Sequence, residues 1–74
     1  MSEQIIESEV TGSVWKIQVK EGDSVSAGDE LMILESMKME IPVEAPCDGV
    51  IGEILVKEED AVDEDQALIK LQTG

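Results

Sequence analysis

The chain has 74 residues, enough for one small domain. Eighteen acidic residues against five lysines, with no arginine and no histidine, leave a net charge of −13, which repels phosphate, excludes nucleic-acid binding and disfavours anionic membrane surfaces. Apolar residues, 42% of the chain, are nearly all aliphatic, and Trp15 is the only aromatic; without histidine there is no Ser–His or Cys–His nucleophile pair, and a free-standing enzyme is not expected.

No run of basic, then apolar, then small residues opens the sequence, so no signal peptide is expected. The first predicted strand is Val14 to Val19, in which Trp15, Ile17 and Val19 share one side and Lys16 and Gln18 the other, making Trp15 a core candidate by parity. Its repeat partner is a glycine, however, which leaves room for partial exposure. Lys20-Glu21-Gly22-Asp23 then reads as a charged turn, followed by a short extended piece around Val25 and a second turn at Ala27-Gly28-Asp29. Leu31 to Glu35 is a strand that contains the longest apolar run, Leu31 to Leu34, far too short to span a bilayer.

After the segment Glu35 to Val43 the pattern starts again. A shift of 37 places Gly12 on Gly49, Ile17 on Ile54, Val19 on Val56, Lys20-Glu21 on Lys57-Glu58, Asp23 on Asp60, Val25 on Val62, Leu31 on Leu68 and Leu34 on Leu71, which is 9 identities in the 23 positions from Gly12 to Leu34. The chain is two copies of one unit, about 8–37 and 45–74, in a single domain spanning 1–74. Gly52 to Val56 and Ala67 to Gln72 repeat the strands of the first copy. No window shows a helix-period apolar face, and short strands between polar turns predict an all-β fold. We expect a flattened barrel or sandwich of two four-stranded antiparallel sheets related by a two-fold, the copies packed face to face over a thin aliphatic core. So short a chain is not expected to enclose a ligand pocket as well as a core.

Cys47 is alone, so there is no internal disulfide, and a reducing, cytoplasmic setting fits best. After Pro46 it reads as a small filler. Glu58-Glu59-Asp60 and Asp63-Glu64-Asp65 lack the spacing of a calcium loop and read as a solvated acidic face, so no metal is expected.

The two-fold places Lys38 at one pole, because adding or subtracting 37 from position 38 lands on the chain ends. A two-residue loop of Met37-Lys38 would pair Ser36 with Met39 and Glu35 with Glu40. Such loops favour Asn-Gly or Asp-Gly, so Met-Lys is a poor choice. Glu35 facing Glu40 sets like charges opposite one another. Several violations of local rules at one exposed spot mark a functional site.

Met37-Lys38-Met39 resembles the Ala-Met-Lys-Met acceptor site of biotinyl domains, in which the lysine carries biotin through an amide. Ala45-Pro46-Cys47-Asp48-Gly49-Val50 is similar to the family's Ala-Pro-x-x-Gly segment, and Gly22-Asp23-x-Val25 and Gly28-Asp29-x-Leu31 to its upstream turns, so the resemblance runs from about Val10 to Gln72. The chain also resembles free-standing bacterial biotin/lipoyl attachment proteins. The resemblance implies a non-catalytic carrier, biotinylated on Lys38 by a biotin protein ligase that presents biotin as an acyl-adenylate. Glu35, Ser36, Met37, Met39 and Glu40 would be flanking recognition residues. It further implies a carrier that moves carboxyl groups between the biotin carboxylase and carboxyltransferase components of an acyl-CoA carboxylase and is a monomer when isolated. Lys20 to Asp23 is too short for the protruding thumb of some acetyl-CoA carboxylase carriers. Ser36 stands where the biotinyl pattern has alanine, and Glu35-Ser36 fits the lipoyl acceptor pattern as well. Lipoate at the same lysine, through a lipoyl ligase able to hydrogen-bond the Ser36 hydroxyl, is therefore an alternative. An unmodified acidic interaction domain is a second one.

Overall fold

The computed structural model describes residues 2–73. Eight strands follow in order: β1 (Ser2–Glu7), β2 (Gly12–Ile17), β3 (Ser24–Val25), β4 (Glu30–Ser36), β5 (Met39–Glu44), β6 (Gly49–Ile54), β7 (Ala61–Val62) and β8 (Ala67–Thr73). They form two four-stranded antiparallel sheets, β1-β8-β6-β3 and β5-β4-β2-β7. The all-β sandwich expected from the strand spacing is the observed architecture.

The repeat is written into the hydrogen bonds. The Gln18 N–H donates to the Leu31 carbonyl at 2.9 Å, as Leu55 does to Leu68 at 2.8 Å; Gly28 donates to Ala45 at 2.8 Å, as Asp65 does to Ser8 at 2.7 Å. Carboxylates repeat too: the Ile17 N–H donates to Glu58 at 3.1 Å and the Ile54 N–H to Glu21 at 3.0 Å. The turn acids therefore have work to do: Asp23 and Asp60 accept from the N–H of Lys20 and Lys57, each at 2.9 Å. No group of acids able to hold a metal ion forms among the described residues.

The halves interlock rather than pack face to face. β3 of the first copy pairs with β6 of the second, and β7 with β2; with β1 counted in the first half of the chain and β5 in the second, each sheet takes two strands from each half. Swapping a two-residue strand onto the other half's sheet links the halves through backbone bonds as well as through the core, which sheets in apolar contact alone would not. β1 also lacked any sequence signal. Ser-Glu-Gln-Ile-Ile-Glu has no alternation, and only Ile6 of it is buried; pairing with β8 makes it a strand. β2 and β6 begin two residues before the predicted Val14 start and three before the predicted Gly52 start.

The core is aliphatic and symmetric: Val14 and Ile51, Val25 and Val62, Leu31 and Leu68, Met32 and Ile69, Leu34 and Leu71 are all buried. Trp15 is not among them. The pairing of β2 with β4 slips between Val14 and Lys16, so Trp15 is the extra residue of a β-bulge, and the pairing of β6 with β8 slips likewise around Gly52. A bulge resets the alternation. Val14 faces the core at 1% exposure, while Trp15 turns outward, half exposed at 49%.

The two sheets do not close along β1 and β5, both edge strands. A groove of about 300 Å³ lies on this seam, floored by Ile6, Leu34, Ile41, Val43 and Ala45 and edged by Glu7, Glu9 and Glu44. A depression of this size was not expected. It is a gap between edges rather than space taken from the core, and its ionisable lining is carboxylate alone. Cys47 is half-buried, as a filler would be, with its Sγ 3.5 Å from the Gln4 side-chain oxygen.

Candidate functional site: the Met37-Lys38 hairpin

β4 and β5 are joined by Met37 and Lys38 alone, and Ser36 faces Met39 and Glu35 faces Glu40 across the strands, the pairing the two-residue loop required. Both loop residues take positive φ, 51° and 66°. A two-residue connection needs this left-handed geometry to match the twist of the flanking strands. Neither residue is a glycine, and each left-handed side chain costs about 1–2 kcal/mol. The fold holds the strained turn because β4 is the middle of a paired ladder, with β2 on one side and β5 on the other. Turns of the first copy meet the same demand more cheaply, with Gly22 and Gly28 at φ of 94° and 89°, whereas their second-copy counterparts Glu59 and Asp65 bear it as non-glycines at 74° and 69°.

The tip is open. Lys38 is exposed, Met37 is 93% exposed and Met39 64%. Two thioether side chains in water flank one amine, whereas Met32, five residues before Met37 on β4, is fully buried. Lys38 makes no ion pair among the described residues, where Lys70 bridges Glu53 at 3.5 Å.

Below the tip the hairpin is clamped. Ser36 donates its hydroxyl to the Thr11 carbonyl at 2.8 Å, and Thr11 Oγ1 accepts from the Glu64 N–H at 3.3 Å. Gly12 lies so close that a Cβ there would collide with the Glu35 carbonyl oxygen and sit 3.1 Å from the Ser36 Cβ. The Ser36 proton is thus committed inside the molecule, leaving only the lone pairs of the hydroxyl uncommitted. Sequence reasoning missed Thr11 and Gly12; the glycine at the start of a strand was the available signal.

Glu35 and Glu40 are both exposed and directly opposed. Glu40→Lys turns a like-charge pair into an opposite one and is expected to raise stability by about 0.2–0.5 kcal/mol, a gain that shrinks as salt is added. Urea denaturation at two ionic strengths measures it. A loss above about 1 kcal/mol would be incompatible with simple repulsion across the pair.

With this geometry in view, the chain can be compared with known proteins. The biotin/lipoyl family model, described as "Biotin-requiring enzyme", matches residues 2–71. The chain belongs to the biotin/lipoyl attachment family.

Within the family it is a carrier domain, not a catalyst. It is 44% identical over 66 residues to the biotin/lipoyl attachment protein of Bacillus subtilis, covering 89% of this chain and 90% of that one. The biotin carboxyl carrier protein of acetyl-CoA carboxylase from Streptococcus pyogenes is 49% identical over 51 residues, 69% of this chain but 31% of that protein. Among solved structures, the urea carboxylase of Kluyveromyces lactis superposes with a TM-score of 0.90 at 35% identity, over 96% of this chain and 6% of that one. A single-chain long-chain acyl-CoA carboxylase gives 0.91 at 26%, over 97% of this chain and 7% of that one. The fold is thus also that of a small part of much larger carboxylases.

Proposed function

We propose that this chain is a biotin carboxyl carrier acylated at Lys38. It would shuttle carboxyl groups between the biotin carboxylase and carboxyltransferase components of a cytoplasmic acyl-CoA carboxylase, with residues 1–74 acting as one attachment domain. The observation that carries the reading is an exposed amine, between two exposed methionines, at the tip of a strained two-residue hairpin in a member of this family.

The residues fit the group. The Lys38 amine gives up a proton to the biotin protein ligase and attacks the acyl carbon of biotinyl-adenylate. The Nζ–C bond forms, the bond to the phosphate oxygen breaks, and AMP leaves with the electron pair. Met37 and Met39 offer flexible apolar contact to the ligase groove, and Glu35, Glu40 and Ser36 frame them. Attached biotin supplies the carboxyl-carrying chemistry, and the chain supplies reach and placement.

The test is intact mass after co-expression with a biotin ligase and, separately, a lipoyl ligase. Wild-type protein should gain one biotin with the first. With the second it should gain lipoate more slowly, since a hydroxyl in place of a hydrogen is weakly discriminated. Met37→Asp with Met39→Ala should shift the balance toward lipoate. No mass gain with either ligase would leave the acidic interaction domain as the reading.

A further inference from the structure

The two halves act as controls for each other: what the fold requires at one position it requires 37 residues away. Trp15 breaks that rule. Its bulge recurs in the second half on Gly52, so the fold needs the bulge and not the indole. Yet the indole is held out in solvent, half exposed, in a chain that places nearly every other large apolar residue of its central strands inside.

Its central neighbour differs from its counterpart in the same direction: Ile33 stands where the second half has Lys70. On the outer face of the hairpin-bearing sheet, Ile33 lies opposite Lys16 on β2 and Pro42 on β5, with Trp15 beside it in the bulge. Trp15, Ile33 and Pro42 make an apolar patch across three strands, with Lys16 beside it. On the other sheet the equivalent row is Gly52, Glu53, Lys70 and Ile5, and its centre is the Lys70–Glu53 ion pair. There a side chain at position 52 would press on Gln72 at 3.1 Å, so that bulge is already covered. Toward the turn, the apolar patch gives way to Glu35 and Glu40, and then to the tip.

Taking the Lys38 carrier reading as its basis, we propose that Trp15, with Ile33 and Pro42, is the docking anchor for the biotin protein ligase. The occupant is a protein surface with an apolar pocket for an indole, edged by lysine or arginine. Charge complementarity sets the edge, because a carrier with a net charge of −13 is drawn to a basic surface. Reach selects the ligase over enzymes that act later. Unmodified lysine extends only by its own four-carbon stem, so the enzyme that first acylates it must lie against the hairpin. About 10 Å of strand separates Ile33 from Ser36 at 3.4 Å per residue. A tryptophan at such a place is the residue type most enriched among side chains that dominate binding.

The second half supplies the test variant. Trp15→Gly reproduces the bulge built on Gly52, and Trp15→Gln keeps a Cβ should glycine loosen the strand. Both are assayed as ligase substrates after thermal denaturation shows a folded state, with Ile5→Ser on the opposite sheet as control. The expected result is a KM for the carrier raised about tenfold or more, kcat within about twofold, and no change for Ile5→Ser. A second reading uses the Lys38→Arg carrier with its single tryptophan replaced biosynthetically by 5-fluorotryptophan. Its one ¹⁹F resonance should shift or broaden when ligase is added and recover at high salt. Unchanged KM in both Trp15 variants, or a ¹⁹F resonance indifferent to ligase while wild-type protein is biotinylated, would overturn the docking proposal and leave the carrier reading intact. Wild-type protein that accepts no biotin would overturn both.

Discussion

Lys38→Ala and Lys38→Arg are each expected to abolish biotinylation, while Lys20→Arg and Lys57→Arg leave it unchanged. Arginine keeps the charge and the length but remains protonated, so it offers no acyl-accepting lone pair. Lys20 and Lys57 are the sharper comparison. Both are exposed lysines in turns, each with its N–H held by an aspartate at 2.9 Å, and the two-fold makes their surroundings alike. Neither sits on a two-residue loop and neither is flanked by exposed methionine. Peptide mapping of the biotinylated protein is the measurement. Biotin on either of them, or modification that survives Lys38→Ala, would show that the ligase reads something other than the hairpin tip.

Gly12→Ala should have the largest effect on stability among substitutions near the site. The added Cβ collides with a backbone carbonyl, that of Glu35, which cannot swing aside as a side chain would. β2 and β4 must separate at the base of the hairpin, at a cost of about 1–3 kcal/mol, the range for overpacking. In a domain of this size that is a large part of a total of about 4–11 kcal/mol, and the melting point should fall by about 4–8 °C per kcal/mol. Gly49→Ala is the mirror experiment, with the Gln72 carbonyl oxygen 2.5 Å from the new Cβ. Stability should fall similarly in both. Acylation, measured well below either melting point, should slow only in Gly12→Ala, because only that strand start abuts the Ser36–Thr11 clamp under Lys38. A Gly12→Ala protein within about 0.5 kcal/mol of wild type would mean the strands have slack that the close approach does not suggest.

The sequence by itself determined a good deal. The 37-residue self-match implies the two-fold, and the two-fold implies that Lys38 lies opposite the paired chain ends; Ser2 does face Thr73. The strand rhythm of Leu31 to Glu35 gives β4, and a two-residue loop after it, though Met-Lys is a poor choice for one, implies the Glu35–Glu40 facing that the register shows. All of these rest on local periodicity and loop length, which neighbouring residues encode. Tertiary structure alone decided the rest. β1 exists because β8 supplies the partner for its backbone. The halves exchange β3 and β7 because a two-residue strand carries no pattern that names its neighbour. Trp15 faces solvent because a bulge, invisible in the alternation of Trp15, Ile17 and Val19, inserts one residue and turns the side chain over. Ser36, which on sequence grounds was free to bind a ligase, donates its hydroxyl to the backbone carbonyl of Thr11, 25 residues away in the chain. Each of these outcomes depends on which backbone groups meet across the sheet, and a register is a property of two segments that neither of them carries alone.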